Sequence, residues 1–498
     1  MQNHRNLYEI NTRVWLYNLE KEFDEEITIL KIPDSIWWNL KEKGFDWIWL
    51  MGVWKHSQLS IEDLKRHLGL LREIDDAFPN WKPEDVIGSP YSIIEYTLNP
   101  KLGKPNDLIQ IKRKLNQIGI KLMLDFIPNH FGNASHLVRT NPELFVSSIK
   151  KPTTNSDLFT NIETEKGPYW VAYGKDPYFP PWDDTFQLNY FNLETRKLMM
   201  EILLEITDKC DGIRCDMAML CLNEVIANTW GWFLSQKSPE TEFWKEAIEK
   251  VQEVDPKFYF LAEVYWDLGW QLQQLGFNYT YDKRLYDRLK NESSKEIREH
   301  LQADLEFQKH CVRFIENHDE IRVIKVFGRA KSMAAAIIMG TTPGMSLYHQ
   351  GQLEGFKLKI PVQLRQKKVE HQDEEIKSHY CKLLEFTNQD VFRRGQWRLL
   401  NITEAGEKNL SWQNLLAWQW DSNKIEKISL IIVNYASIRS IGIIFPLIPE
   451  AIKNKESLIF KDIMENRIFI KNTDDLTHLG LYVDLQPYKS HLLIVSGS

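Results

Sequence analysis

Gly212-Ile213-Arg214-Cys215-Asp216-Met217-Ala218 is a short apolar run that carries an arginine and an aspartate two residues apart. Alternation along a strand would set both charges on one face. The run is followed by a long amphipathic segment, Asn223–Glu253. Strand, charge at the strand's end, then helix is a pattern that recurs along the chain. Candidate strands are Tyr8–Leu16, Phe45–Trp54, Lys121–Pro128, Gly212–Ala218, Phe258–Trp266, Phe277–Asp282, Cys311–His318 and Met345–His349. Candidate helices are Ser35–Lys43, Pro105–Ile118, Glu194–Asp208, Asn223–Glu253, Leu268–Leu275, Lys283–Ala303, Arg329–Met339 and Asp373–Thr387. Eight such units predict an α/β fold of the (β/α)8 TIM-barrel type. A doubly wound sheet would need fewer units.

Two stretches break the rhythm. Phe131–Gln187 follows the third strand and is rich in Pro, Asn, Asp and aromatic residues. A structureless loop of that length is improbable in a compact barrel, so a small inserted domain is expected. From about Gly395 short strands succeed one another without helices: Ser429–Val433, Gly442–Phe445, Ser457–Phe460, Ile468–Ile470 and His491–Val495. They predict a C-terminal antiparallel β-sandwich. The expected division is 1–130 for the first part of the barrel, 131–189 for the insert, 190–394 for the rest of the barrel with the chemical centre, and 395–498 for the sandwich.

Bulk composition narrows the function classes. A chain of 498 residues, 43% hydrophobic, has core enough for roughly two to four domains. A formal net charge of -7 gives no reason to expect nucleic acid or an anionic membrane as partner. No run of 18 apolar residues is present, and Met1–Leu30 lacks the apolar core and small-residue site of a signal peptide. The five cysteines, Cys210, Cys215, Cys221, Cys311 and Cys381, form no CxxC pair, so neither a disulfide framework nor a thiolate metal site is suggested. A soluble, cytoplasmic protein is the expectation. Some of the 18 Trp and 18 Tyr are candidates for flat platforms against the apolar faces of sugars, the rest being ordinary core.

Catalytic groups of a barrel gather at the C-terminal ends of its strands. Here those ends read Asp125-Phe126-Ile127-Pro128-Asn129-His130, Arg214-Cys215-Asp216, Ala262-Glu263-Val264-Tyr265-Trp266 and Glu316-Asn317-His318-Asp319. Taken singly, each has a plainer reading: an Asp that caps the next helix, a structural Arg–Asp pair, a hydrogen-bonded loop histidine. Taken together they must converge on one rim. Glycoside hydrolysis needs such a set, with one carboxylate as nucleophile and one carboxylic acid as proton donor, roughly 5–5.5 Å apart when configuration is retained. Glu263, among apolar and aromatic neighbours, suits a donor of raised pKa. Asp216, beside Arg214, suits a nucleophile that stays ionised.

These four segments resemble the four signature regions of the α-amylase family of glycoside hydrolases (family 13), in order and on the matching strands. Gln187-Leu188-Asn189, Gly88-Ser89-Pro90-Tyr91 and Tyr348-His349-Gln350-Gly351 resemble further family segments. The resemblance covers about Tyr8 to Arg394 and is architectural only for the sandwich. It implies Asp216 as nucleophile, Glu263 as acid and base, and Asp319 as the group that grips the distorted sugar at subsite −1. It implies Arg214 as the residue that orients Asp216, with His130, His318 and Tyr91 around the same sugar and Asp125 supporting the rim. Tyr265 and Trp266 become acceptor-side candidates, with Met217 beside the nucleophile.

The chain also departs from the family pattern. Met217 replaces a small residue, and Met219 and Leu220 stand where many amylases carry a Lys-His pair, which makes the acceptor side more apolar. The chemistry requires no cofactor. A structural calcium ion is left open, with Asn129 as the matching ligand and Asp157, Asp176, Asp183 and Asp184 as possible oxygen donors, since calcium takes six to eight oxygens. The expected activity is retaining cleavage of α-glucosidic bonds, foremost α-1,4, in malto-oligosaccharides or α-glucans. The alternatives are a 4-α-glucanotransferase, a related transglycosylase or sugar isomerase, or a non-catalytic α-amylase-like binding module. The last is disfavoured because all three acids are retained.

Overall fold

The computed structural model describes residues 4–422 and 425–498. Eight parallel strands close into a barrel: β1 (His4–Asn11), β2 (Trp47–Met51), β3 (Lys121–Phe126), β4 (Gly212–Cys215), β5 (Tyr259–Ala262), β6 (Tyr279–Tyr281), β7 (Cys311–Arg313) and β8 (Gly344–His349). Each pairs with its sequence neighbour, and β1 pairs with β8 to complete the ring. The expected barrel is therefore present, each of its eight strands overlapping one of the eight candidate runs.

The first strand is displaced from its expected position. Tyr8–Leu16 reads as one apolar run, but the strand is His4–Asn11 and Thr12–Phe23 is a helix. Asn11 ends the strand and caps the helix, its side chain accepting from the Val14 N–H at 3.3 Å. Trp15, Leu16 and Leu19 continue the apolar pattern on the helix face that meets the core. The second expected strand, Phe45–Trp54, is broken at Gly52. There φ is +73°, and a Cβ would meet the Pro90 side chain at 2.7 Å. Two expected helices are each split in two. Asn223–Glu253 becomes Asn223–Trp230 and Phe243–Val254. Lys283–Ala303 divides where Ser293 and Glu296 form a capping box.

Between β3 and β4 the strands His130–Gly132, Ser147–Ser148, Phe159–Thr164, Gly167–Gly174 and Trp182–Gln187 form an antiparallel sheet. Beyond the barrel a six-stranded and a three-stranded antiparallel sheet enclose their own apolar cluster, with Leu415, Leu430, Leu458 and Phe460 at its centre. The five strands expected there are all found. Leu415–Ser422 and Leu481–Leu485 join them, as do two short helices, Glu450–Lys453 and Thr473–His478.

Strand register positions the chemistry. Arg214 pairs with Asp125 and Leu261, and Cys215 with Phe126 and Ala262. The next residues, Asp216 and Glu263, thus leave β4 and β5 at one level, pinned by Asp216 N–H to Phe126 O (2.8 Å) and Glu263 N–H to Cys215 O (3.0 Å).

Candidate active site

Arg214 is the hub. It is fully buried and ion-pairs with Asp216 Oδ1 at 2.7 Å and Glu263 Oε2 at 2.8 Å, while Asp125 Oδ1 lies 3.8 Å away. The Trp49 and Tyr91 rings face its guanidinium at 5.1 and 5.4 Å, and Tyr281 lies at 5.9 Å. Burial alone would discharge the group. Glu263, the tyrosine rings and Asp216 instead hold its pKa well above the ordinary arginine range. A buried guanidinium is sustained by such opposite charge and lost without it. Asp125 is fixed from β2, accepting from Trp49 Nε1 at 3.2 Å and from the Gly52 N–H at 2.8 Å.

Glu263 is buried and accepts on both oxygens: from Tyr265 OH at 2.8 Å on Oε1 and from the Met217 N–H at 2.8 Å on Oε2. Burial pushes its carboxyl up to about 7. Arg214 opposes the shift, and Asp216 and Asp319 add to it. Met217 presents its amide because it sits in the left-handed region, φ 42°. Trp266 and Asp267 also lie in the left-handed region, at φ 60° and 59°. Such conformations cost non-glycine residues of order 1–3 kcal/mol each and gather at functional sites.

Asp319 lies across the site with its side chain half exposed, 3.2 Å from His318 Nε2. Asn317 shapes that turn by accepting from the Asp319 and Glu320 amides at 3.0 and 2.9 Å. Tyr91 stacks on His318, with centroids 5.3 Å apart and planes at 18°, and its hydroxyl lies 2.8 Å from His318 Nε2. His130 is buried beside them, Nε2 at 3.3 Å from Tyr91 O, and burial lowers its pKa. The residues singled out around one sugar therefore meet.

Three more that the sequence reading passed over belong to the same cluster: Trp49, Tyr281 and Glu9. Glu9 is wholly buried on β1 with Oε1 2.6 Å from His318 Nδ1. A charge on an apolar strand was the available signal, masked by the misplacement of that strand.

Past Glu263 a cavity of about 970 Å³ opens, its apolar lining formed by Met217, Val264, Tyr265, Trp266, Trp270 and Phe307. Lys283, Arg284, Arg288 and His300 line it as well, together with acids such as Asp267, Asp287 and Glu299. Tyr178, 70% exposed, meets Trp266 edge to face at 4.9 Å, and Trp270 is 51% exposed. Met219 and Leu220 are not part of this wall. They are buried in the Ala218–Cys221 turn, so the apolar character of the cavity comes from the other residues.

Asn129 does not stand ready for an ion. Its Oδ1 accepts from Gln187 Nε2 at 2.8 Å, and its Nδ2 donates to Gln187 Oε1 at 3.3 Å. Asp176 accepts from the Tyr178 and Phe179 amides, Asp183 faces His67 at 3.4 Å, and Asp157 is exposed. Burial and the Asp183 charge push Asp184 up to about 6. Among the described residues no three His, Cys, Asp or Glu side chains come together as a metal site. This donor set does not fit calcium.

The model of the α-amylase catalytic domain matches residues 39–407. Alpha-amylase 3 of Dictyoglomus thermophilum is 25% identical over 288 residues, 53% of this chain and 53% of that protein, so the match spans about half the relative's length. Among solved structures, the fold resembles a maltogenic α-amylase, AmyB, of Thermotoga neapolitana. The TM-score is 0.67 at 19% identity, and 99% of each chain is covered. It also resembles a debranching enzyme of Nostoc punctiforme, with a TM-score of 0.64 at 16% identity over 99% of this chain and 98% of that one.

Proposed function

The chain belongs to the α-amylase family of glycoside hydrolases, and from that premise we propose that it cleaves α-1,4-glucosidic bonds of malto-oligosaccharides or α-glucans through a covalent glycosyl-enzyme. The observation that carries this reading is one guanidinium shared by two carboxylates, Asp216 on one amino nitrogen of Arg214 and Glu263 on the other. Sharing favours the close spacing of roughly 5–5.5 Å that direct attack requires over the wider gap that admits a water.

In this mechanism Asp216 attacks the anomeric carbon while Glu263, protonated because burial raises its pKa, gives its proton to the departing oxygen. Glu263 then takes a proton from the incoming water, which releases the sugar with its configuration retained. Arg214 orients Asp216 through their ion pair at 2.7 Å. Asp319, His318 and His130 bind the hydroxyls of the reacting sugar, and Tyr91 stacks beneath it. Met217, Tyr265 and Trp266 line the way to the cavity that receives the leaving chain. That cavity, with its exposed aromatic rings, supports an oligosaccharide rather than a disaccharide as substrate. The Asn129–Gln187 pair takes the place of a calcium site.

Maltotriose distinguishes hydrolysis from transfer on the same scaffold. The reading expects reducing ends to accumulate with the α-anomer formed first, followed by NMR during the early turnover. Disproportionation to longer chains with few new reducing ends would make the chain a glucanotransferase.

A further inference from the structure

Glu9 is a carboxylate of the cluster shut off from the cleft. It is wholly buried, its Oε1 is 2.6 Å from His318 Nδ1, and its Oε2 has no hydrogen-bond partner. We infer that Glu9 is a positioning residue that fixes His318 as an imidazolium, with Nδ1–H bound inward and Nε2–H aimed at the sugar site beside Asp319.

The geometry carries this assignment. His318 is held on all sides: by Glu9 from β1, by Trp49 edge to face at 5.5 Å from β2, and by Tyr91 stacked at 5.3 Å. A carboxylate at 2.6 Å from Nδ1 makes that nitrogen the donor. Nε2 faces Asp319 Oδ2 at 3.2 Å, an oxygen that can only accept and so calls for a proton on that nitrogen too, while Tyr91 OH lies 2.8 Å away.

The charged groups near the pair oppose one another. Burial and the Arg214 charge from β4 disfavour the imidazolium, while Asp319 and Glu9 favour it, with the balance at about 9. Asp319 counts as the larger single charge, but its side chain is half exposed and screened by water, whereas Glu9 is dry. Asp319 is also the group that substrate hydroxyls would engage. Glu9 itself stays ionised against its burial because His349 and His318 face it. His349 in turn leans on Glu316 and Arg322, both on the segment that follows β7, so Glu316 is engaged away from Nδ1. The consequence is a donor that keeps its proton across neutral pH, where an unperturbed histidine would lose it.

The test is Glu9→Gln, which keeps the shape and a carbonyl oxygen for Nδ1–H but removes the charge. If the His318 pKa falls from about 9 to an ordinary 6.5, the imidazolium fraction at pH 8 drops about 30-fold, against little change at pH 5.5. The ratio of variant to wild-type kcat/KM on maltoheptaose should therefore fall about 30-fold between those pH values. Parallel pH profiles would overturn the assignment, because a merely structural loss lowers activity alike at every pH.

The kinetic arm rests on the glucan-cleaving reading, but a second measurement does not. Nitrogen-15 NMR of His318 in the wild-type chain should show both ring nitrogens protonated at pH 7.5, and it decides even if the variant misfolds. A neutral ring there would sink the inference. A charged ring in a chain that cleaves no glucan would sink the proposed function alone.

Discussion

Asp216 and Glu263 have the same partner, Arg214, yet the proposed mechanism gives them opposite tasks, and their surroundings differ accordingly. Asp216 meets the guanidinium alone, at 2.7 Å. Glu263 is buried deeply enough that its carboxyl titrates near 7 despite the same cation. Asp216→Asn should lower kcat by at least about 10⁴-fold, as expected when a covalent nucleophile is lost. Activity within tenfold of wild type, with thermal stability unchanged, would refute the assignment. The sign of the pH effect follows from the donor role: Glu263 must carry its proton in the free enzyme, so kcat/KM should decline as pH rises through about 7. Tyr265→Phe removes a donor that favours the ionised form of Glu263. It should therefore raise that pKa and move the alkaline limb to higher pH. A limb that stays in place would show that the hydroxyl does not bear on the acid.

At the scale of elements, the inserted sheet is tied to the barrel through the β3 end. Gln187, the last residue of its final strand, clamps Asn129 with its amide and also donates to Asn129 O at 3.0 Å. This clamp joins the two parts with side-chain hydrogen bonds where a family calcium ion would do so with charge. Chelator should therefore leave the melting temperature unchanged. Gln187→Ala should cost about 1–3 kcal/mol by stranding the buried Asn129 amide. Chelator-induced melting, monitored by circular dichroism, would reinstate the ion. How much of this the sequence announced depended on what set each boundary. The barrel was legible because eight short apolar runs alternate with amphipathic segments, and the site because four of those runs end in charge, as at Arg214, Glu263 and His318. The end of β1 was not, since Asn11 caps a helix whose buried face prolongs the same apolar run. Gln187 was visible as a motif, but only the fold brings it to Asn129, 58 residues away. Glu9 reaches His318 only because β1 closes the barrel against β8.

For the whole molecule, the question is whether the C-terminal sheets are an appendage or a part of the core. Trp418 and Trp420 answer it. Both are wholly buried, and their indole N–H groups donate to Thr341 at the end of the barrel helix Arg329–Thr341, at 3.2 Å to Oγ1 and 2.7 Å to O. The Trp420 ring also meets Phe392 at 5.3 Å and His4 at 6.4 Å, at the foot of β1. Tyr435 OH donates to Leu289 O at 2.6 Å, and Arg298 donates to Leu415 O at 2.5 Å. Leu416, Trp418, Trp420, Ile431 and Val433 belong to the same continuous cluster as the barrel core. An interface this apolar couples the two units, so the chain should melt in one cooperative transition rather than two. Trp420→Ala removes a large buried ring and strands the Thr341 carbonyl, a loss of about 3–5 kcal/mol. Because that ring touches residues 4, 341 and 392, the destabilisation should reach the barrel. Calorimetry of Trp420→Ala should show a single transition at lower temperature, with loss of glucan cleavage tracking it. Two separated transitions, with activity following only the later one, would make the C-terminal sheets an independent appendage.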